Sequence, residues 1–130
     1  MLTKIKVSDY MTASVVTFSK STNIFEAIRT MVEAQITSAP VTNDANQLIG
    51  IFTEKDCMAI AIGSTYNQDM GASVGDFMTP DVVTVKAESS ILEVAQQFNE
   101  THIRSFPVFD DDGFVGIISR TDVLKAIAAF

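Results

Sequence analysis

The fold is decided by a stretch that occurs twice, first as ITSAPVTNDANQLIGIFTEKD (Ile36–Asp56) and again as IRSFPVFDDDGFVGIISRTD (Ile103–Asp122). Each copy passes through Pro-Val, breaks at a turn rich in Asp, Asn or Gly, resumes through Gly-Ile and closes on Thr or Ser, two further residues and Asp. β-Branched and aromatic residues on both sides of such a turn predict a hairpin, and a hydroxyl residue three before an acid predicts a helix start. Each copy therefore predicts two strands followed by a helix.

The repetition extends over almost the whole chain. At one constant spacing the matching pairs are Asp9 with Asp76, Met11 with Met78, Thr12 with Thr79, Val16 with Val83, Ile24 with Ile91, Ser38 with Ser105 and Pro40 with Pro107. One residue is lost in the second turn, after which Gly50 matches Gly116 and Asp56 matches Asp122. The sequence thus predicts a first repeat at residues 1–62, a polar connector at 63–73 and a second repeat at 74–130.

Each repeat contains two further predicted elements. The short β-branched stretches SVVTF (Ser14–Phe18) and DVVTV (Asp81–Val85) predict a first strand. Apolar residues then recur at spacings of three and four, which predicts an amphipathic helix capped by Asn23 or Ser90. The expected order is β-α-β-β-α, twice, an α+β fold. Because one such unit can hardly bury both faces of its sheet, we expect the repeats to pack about a pseudo-two-fold axis that creates paired clefts.

Composition narrows the class of protein. The chain has 130 residues, 47% of them hydrophobic, and a formal net charge of −7, which argues against nucleic acid or an anionic membrane surface as the main partner. Its single cysteine, Cys57, excludes an internal disulfide and a multi-cysteine metal site. No apolar stretch has the length of a signal peptide core or a membrane span. We therefore expect a cytoplasmic protein without membrane insertion.

The closing tetrapeptides, Thr53–Asp56 and Ser119–Asp122, have two compatible interpretations. A hydroxyl with an acid three residues later is a capping box, and a helix start is a sufficient explanation by itself. The same geometry suits a nucleotide, because free N–H groups at a helix N-terminus attract phosphate and a fixed carboxylate accepts hydrogen bonds from vicinal ribose hydroxyls. The residues alone leave both interpretations open.

Other polar residues have ordinary explanations. Arg104 lies close to the aspartates of the second turn and suits a surface ion pair, while His102, the only histidine, suits a helix end. The turn Asp110–Asp112 lacks the further oxygen ligands that a calcium loop needs. The chain shows no nucleophile–base constellation and no Gly-rich phosphate loop, so we expect no enzymatic activity.

Together these motifs resemble a tandem pair of CBS domains, or Bateman module, named after cystathionine β-synthase. The resemblance covers about Lys6–Phe130, and its motifs include V-S/G-D-aromatic-M-T at Val7–Thr12 and Val74–Thr79, the VVT stretch, Pro-Val, Gly-Ile and T/S-x-x-D. It implies clefts that bind an adenosine-containing ligand such as AMP, ADP, ATP or S-adenosylmethionine. No cofactor or metal is implied beyond this regulatory ligand.

The resemblance also implies roles for particular residues. Asp122 with Ser119, and Asp56 with Thr53, hold the ribose and help with the phosphate. The position three before each proline faces the phosphates, and it is Arg104 in the second repeat but Thr37 in the first. The remaining implied site residues are Thr121, as a hydroxyl donor, and the adenine-lining positions Val15, Val82, Ala39 and Phe106.

The two clefts are expected to be unequal. The first repeat has Glu54 where the second has Arg120, and it has no arginine at position 37, so its cleft suits an anion less well.

The expected function is a stand-alone regulatory module that signals its bound state to a partner protein. A homodimer is expected because the helix VLKAIAAF (Val123–Phe130) has more apolar positions than one packed face needs. The alternative is an interaction scaffold with vestigial clefts, and a nucleotide-acting enzyme is a weaker third.

Overall fold

The computed structural model describes residues 1–67 and 72–130, without the side chains of 64–67, so residues 68–71 of the predicted connector lie outside the described residues. The elements, after a 3-10 turn at Leu2–Lys4, are α1 (Val7–Tyr10), α2 (Ile24–Ala34), β1 (Ser38–Thr42), β2 (Leu48–Thr53), α3 (Glu54–Asn67), α4 (Val74–Phe77), β3 (Val85–Lys86), α5 (Ile91–Glu100), β4 (Ser105–Asp110), β5 (Gly113–Ser119) and α6 (Arg120–Ala128). Apart from β3, which has no counterpart strand between α1 and α2, the elements follow the same order in both repeats, and this mixture of helices and strands confirms the predicted α+β class.

The chain divides into two compact units that differ from the two sequence repeats. The central unit consists of Val16–Val82, and the terminal unit combines Met1–Val15 with Val83–Phe130. The opening segment of each repeat therefore packs with the hairpin of the other repeat.

In the central unit, β1 and β2 form an antiparallel hairpin in which Ser38 lies opposite Thr53. The predicted first strand at Ser14–Phe18 is wrong as a strand, because it contributes only a parallel bridge from Phe18 to Val41. The N–H of Phe18 donates to Pro40 O at 3.0 Å and its carbonyl accepts from Thr42 N at 2.9 Å. Phe18 is therefore the one residue of the predicted strand that forms backbone hydrogen bonds with β1.

In the terminal unit, three strands pair in the order β3-β4-β5. β3 is parallel to β4, with Val85 opposite Val108, and β4 is antiparallel to β5, with Ser105 opposite Ser119. The strand predicted at Asp81–Val85 is observed only at Val85–Lys86, so its position is later and its length shorter than predicted.

Each unit has its own apolar core under its sheet. In the central unit the buried residues include Ile24, Ala27 and Met31 of α2 and Ala39, Val41 and Phe52 of the hairpin. In the terminal unit they include Ile91, Val94 and Phe98 of α5, Phe106, Val108 and Ile118 of the strands, and Val123 and Ala126 of α6. The predicted helix caps are confirmed, since Asn23 Oδ1 accepts from Phe25 N at 2.9 Å and Ser90 Oγ accepts from Glu93 N at 3.1 Å.

The opening segments are fixed to the second hairpin strand of their unit. Thr12 exchanges backbone hydrogen bonds of 2.8 and 3.0 Å with Ile117, and Thr79 exchanges bonds of 2.8 and 2.9 Å with Ile51. A Cβ on the neighbouring Gly116 would lie 2.6 Å from Thr12 O. Glycine is needed here because two backbone segments approach each other closely.

No helix within residues 1–67 and 72–130 combines the length and apolar character that are needed to cross a bilayer.

Candidate ligand site in each unit

In the terminal unit, strand β5 runs directly into helix α6 at the tetrapeptide Ser119–Asp122. Asp122 Oδ2 accepts hydrogen bonds from Ser119 N at 2.8 Å and from Ser119 Oγ at 3.0 Å. Ser119 Oγ in turn accepts from Asp122 N at 3.3 Å. The predicted capping box is therefore confirmed, and it fixes the carboxylate beside the helix N-terminus.

The central unit repeats this arrangement where β2 meets α3. Asp56 Oδ2 accepts from Thr53 N at 2.9 Å and from Thr53 Oγ1 at 3.0 Å, and Asp56 N donates to Thr53 Oγ1 at 3.2 Å. The second carboxylate oxygen, Oδ1, accepts a long hydrogen bond of 3.4 Å from Thr79 Oγ1.

Asp122 and Asp56 differ in burial and in whether the carboxylate oxygen Oδ1 accepts a hydrogen bond from the protein. Asp122 is only 7% exposed, whereas Asp56 is half-buried. Among the residues that the structure describes, Oδ1 of Asp122 has no hydrogen-bond partner. Every buried side-chain oxygen that the structure describes has a partner, so Oδ1 retains access to solvent, and an accessible carboxylate oxygen without a protein donor is well placed to accept a hydrogen bond from a ligand.

The position three before each proline lies beside the first residue of the following helix. Arg104 O accepts from Arg120 N at 3.2 Å in the terminal unit, and Thr37 O accepts from Glu54 N at 3.0 Å in the central unit. The Arg104 side chain is exposed. The fold thus brings position 104 next to Ser119–Asp122, and position 37 next to Thr53–Asp56.

The adenine-lining positions divide between the same two units. Val15 ends the opening segment of the terminal unit, and Val82 ends the central unit. Ala39 and Phe106 are each 0% exposed, so their side chains belong to the two cores. Phe106 stacks on Phe98 with ring centroids 4.5 Å apart. The 0% exposure covers the backbone as well as the side chain, so neither Ala39 nor Phe106 presents accessible surface in the structure.

Thr121 lies one residue before Asp122 and is exposed in the first turn of α6. Each unit therefore contains, within its own residues, one complete set of the positions that the resemblance implied.

The sequence did not reveal what Arg120 does. Its Nη2 donates to Phe98 O at 2.6 Å and to Thr101 O at 2.8 Å, and its Nε donates to Ile103 O at 3.0 Å. The guanidinium carbon also lies 5.2 Å from the centroid of the Phe98 ring. The sequence predicted that Arg120, in place of Glu54, makes the second cleft better suited to an anion. In the structure the Arg120 guanidinium donates to backbone carbonyls, so it is not directed at a ligand.

Cys57 is half-buried in the first turn of α3. Burial raises the pKa of its thiol, and the nearby carboxylates of Asp56 and Glu54 raise the pKa further. These effects keep the thiol protonated at neutral pH, which agrees with a packing role. The described part of the chain contains no group of three or more potential metal ligands.

Comparison with known proteins identifies the family. The CBS domain family matches residues 7–63 and 74–129. The chain therefore belongs to the CBS domain family and carries two CBS domains in tandem, as the motifs predicted.

Several relatives are similar over most of the chain. The uncharacterized protein MJ1225 of Methanocaldococcus jannaschii is 30% identical over 95% of this chain and 43% of the relative. The chloroplastic CBS domain-containing protein CBSX2 of Arabidopsis thaliana is 28% identical over 92% of this chain and 62% of the relative. The chain thus spans less than two thirds of each of these curated relatives.

Solved structures share the fold closely. The crystal structure of CBSX2 in complex with AMP has a TM-score of 0.84 and 30% identity, and the match covers 96% of this chain and 97% of that one. The CBS domain pair of protein MJ0100, in complex with 5′-methylthioadenosine and S-adenosyl-L-methionine, has a TM-score of 0.79 over 95% of this chain and 96% of that one. At 24% identity, the second match supports the fold alone.

Proposed function

We propose that this protein is a regulatory module that binds an adenosine-containing ligand, such as AMP, ADP, ATP or S-adenosylmethionine, and signals its bound state to a partner protein. The observation that carries the proposal is Asp122, a carboxylate 7% exposed that is fixed by Ser119 at the start of α6. Its Oδ1 is unpaired within the described residues. The complex of CBSX2 with AMP supports this ligand class, because that protein shares the fold and 30% of its residues.

Each residue has a definite role in the proposed site. Asp122 accepts hydrogen bonds from the ribose hydroxyls through Oδ1, since Oδ2 is already engaged by Ser119. The positive end of the α6 helix dipole attracts the phosphate, and Arg104 supplies a positive charge at the same end of the helix. Thr121 offers a further hydroxyl donor, and the half-buried Val15 is the adenine-lining position with accessible surface.

The central unit supplies the weaker site in this proposal. Asp56 and Thr53 reproduce the carboxylate and its cap, and Val82 and Ala39 are the matching adenine positions. Thr37 stands where the terminal unit has Arg104, so this site has no arginine for the phosphate. The Thr79 hydroxyl also competes for Asp56 Oδ1.

Calorimetric titration with AMP tests the ribose role of Asp122. Hydrogen bonds to a charged group contribute about 1.5–3 kcal/mol, so Asp122→Ala should weaken the tighter site by about ten- to a hundredfold. Arg104→Ala should weaken AMP binding but leave adenosine binding nearly unchanged. Asp56→Ala is the matched control, and it should affect the tighter site much less. Equal losses of AMP affinity in Asp122→Ala and Asp56→Ala would contradict the proposed inequality of the two sites. No loss of affinity in either variant would mean that both tetrapeptides serve only as helix caps.

A thermal-shift screen separates this proposal from its alternatives. A ligand present at about 100 times its Kd should add roughly 2.7 kcal/mol to the free energy of unfolding. Stabilisation by AMP, ADP, ATP or S-adenosylmethionine supports a sensor, whereas no shift with any of them supports a scaffold with vestigial sites. Steady hydrolysis of ATP by the purified protein, lost in Asp122→Ala, would support an enzyme instead.

We further propose that the protein is a cytoplasmic homodimer.

A further inference from the structure

We propose that Arg120 is a positioning residue that holds Arg104 against the ligand's phosphate, and thereby makes the terminal-unit site selective for phosphorylated adenosine compounds. The inference rests on the proposed function, because it concerns the same site. It goes further by assigning selectivity to a side chain that does not itself face the ligand.

The side chain of Arg120 holds the chain segment that leads to Arg104. Its guanidinium donates to Phe98 O at 2.6 Å, Thr101 O at 2.8 Å and Ile103 O at 3.0 Å. These carbonyls span the last turn of α5 and the residues between α5 and β4. Charge-assisted hydrogen bonds of this length are among the stronger ones in proteins.

The backbone of Arg120 completes the connection. Its N–H donates to Arg104 O at 3.2 Å, so residue 120 contacts four carbonyls between positions 98 and 104. Arg120 also directly follows Ser119, which caps the aspartate of the site. One residue therefore links the phosphate-facing position to the ribose-binding tetrapeptide.

The central unit closes the corresponding segment by a different device. Helix α2 ends at Gln35 in the left-handed conformation, with φ 56°. Gln35 N donates to Val32 O at 3.2 Å, and Ile36 N donates to Met31 O at 3.1 Å, so the helix end satisfies itself locally. Glu54, at the position of Arg120, carries the opposite charge. We call the three hydrogen bonds from the Arg120 guanidinium to Phe98 O, Thr101 O and Ile103 O the arginine clamp. This clamp occurs in the unit with Arg104 and not in the unit with Thr37.

Aromatic contacts connect the arginine clamp to strand β4. The Arg120 guanidinium lies 5.2 Å from the Phe98 ring centroid, and Phe98 stacks on Phe106, two residues after Arg104. Arg104 is thereby placed between two fixed points, the clamped carbonyls on one side and the buried Phe106 on the other. A long side chain on a fixed backbone loses less conformational entropy when it binds a phosphate.

A double-mutant cycle with two ligands tests the inference. Arg120→Met keeps an apolar stem on Phe98 but removes the guanidinium, and Arg29→Met, at an exposed arginine of α2, is the matched control. All variants carry Asp56→Ala so that the terminal-unit site dominates the calorimetric signal. We expect Arg120→Met to lower the ratio of AMP affinity to adenosine affinity by about fivefold, and the control to leave this ratio unchanged.

The cycle also contains the outcomes that would overturn the inference. In an Arg104→Ala background, Arg120→Met should no longer change the ratio, because the arginine that it positions is gone. An equal loss of AMP and adenosine affinity would show a merely structural role, and a ratio that still falls without Arg104 would show that Arg120 acts directly. If Arg120→Met does not fold, Arg120→Lys replaces it, and an unchanged ratio in that variant contradicts the inference. Absence of AMP binding by the unaltered protein would instead overturn the proposed function first.

Discussion

The hydroxyl of Thr79 lies 3.4 Å from Oδ1 of Asp56, the carboxylate oxygen that the cap from Thr53 leaves open. Thr12, the matching threonine of the terminal unit, makes the same pair of backbone bonds to its strand. Within the described ranges, however, Thr12 forms no side-chain hydrogen bond to Asp122. The central unit therefore supplies its aspartate with an internal donor, and a ligand at that site has to share this oxygen with it.

Removal of this donor is expected to strengthen the weaker site. The bond is long, and a hydrogen bond contributes about 0.5–1.5 kcal/mol net, so Thr79→Val should raise the AMP affinity of the central site by about two- to fivefold. The titration uses an Asp122→Ala background, in which the central site dominates the signal. Thr12→Val in an Asp56→Ala background is the control and should change little. A drop in affinity after Thr79→Val would mean that the hydroxyl contacts the ligand instead.

Gly116 and Gly50 offer a matched test of how tightly the opening segments are packed. A Cβ at Gly116 would lie 2.6 Å from the backbone oxygen of Thr12, whereas at Gly50 the nearest atom is Met78 Sδ at 2.7 Å, on a flexible side chain. Overpacking costs about 1–3 kcal/mol, so Gly116→Ala should lower the free energy of unfolding within this range and Gly50→Ala by less. Urea denaturation measures both.

Gly63→Ala is the control for the glycine series. A Cβ there would meet no atom of the described residues within 4 Å, and the residue lies within α3. Alanine is favoured over glycine inside a helix, so this variant should gain up to about 1 kcal/mol. Equal destabilisation by all three substitutions would contradict the close approach at Gly116.

Local rules were sufficient to predict part of the fold and site. The caps at Asn23 and Ser90 and the T/S-x-x-D pairs at Thr53 and Ser119 were predictable, because each partner lies within three residues. Arg120 was not, since its carbonyl partners lie 17 to 22 residues earlier in the chain. A pattern of residue types does not specify which distant backbone oxygens will meet a guanidinium.

The first strands show a second limit of local prediction. A β-branched stretch such as Ser14–Phe18 favours extended backbone, but a strand also requires a partner along its length. Only Phe18 bridges to Val41, and Ser14 and Val15 belong to the other compact unit. The boundary between Val15 and Val16 therefore leaves at most three residues of the predicted strand, Val16–Phe18, in the unit that contains β1.

The raised pKa of Cys57 predicts slow reaction of its thiol at neutral pH. Burial is the first cause, followed by the charges of Asp56 and Glu54, so the thiolate is disfavoured relative to that of an ordinary exposed cysteine. The rate of alkylation by iodoacetamide, measured as a function of pH, should show a midpoint above that of an unstructured reference peptide with one cysteine. Glu54→Gln removes one raising charge and should shift the midpoint downward. Glu33→Gln, on α2, should leave it unchanged, and a midpoint below that of the reference peptide in the unaltered protein would contradict the assignment.

The matching helices α3 and α6 leave apolar side chains uncovered, and this predicts self-association. Met58 and Ile62 of α3 are 61% and 67% exposed, and Leu124 and Ile127 of α6 are 63% and 48% exposed. In each helix these residues lie three or four positions apart and so share one face. A face of this kind gains free energy when a second copy covers it, at about 25 cal/mol per Å² of apolar surface buried.

Light scattering coupled to gel filtration measures this association directly. We expect a mass near twice the 14.1 kDa of the single chain. Leu124→Glu combined with Ile127→Glu should shift the protein to the monomer, because a dimer would then bury charges without partners. Lys125→Glu changes an exposed charge on the same helix outside the apolar positions and should leave the mass unaltered. A 14.1 kDa species that persists at high concentration in the unaltered protein would refute the dimer.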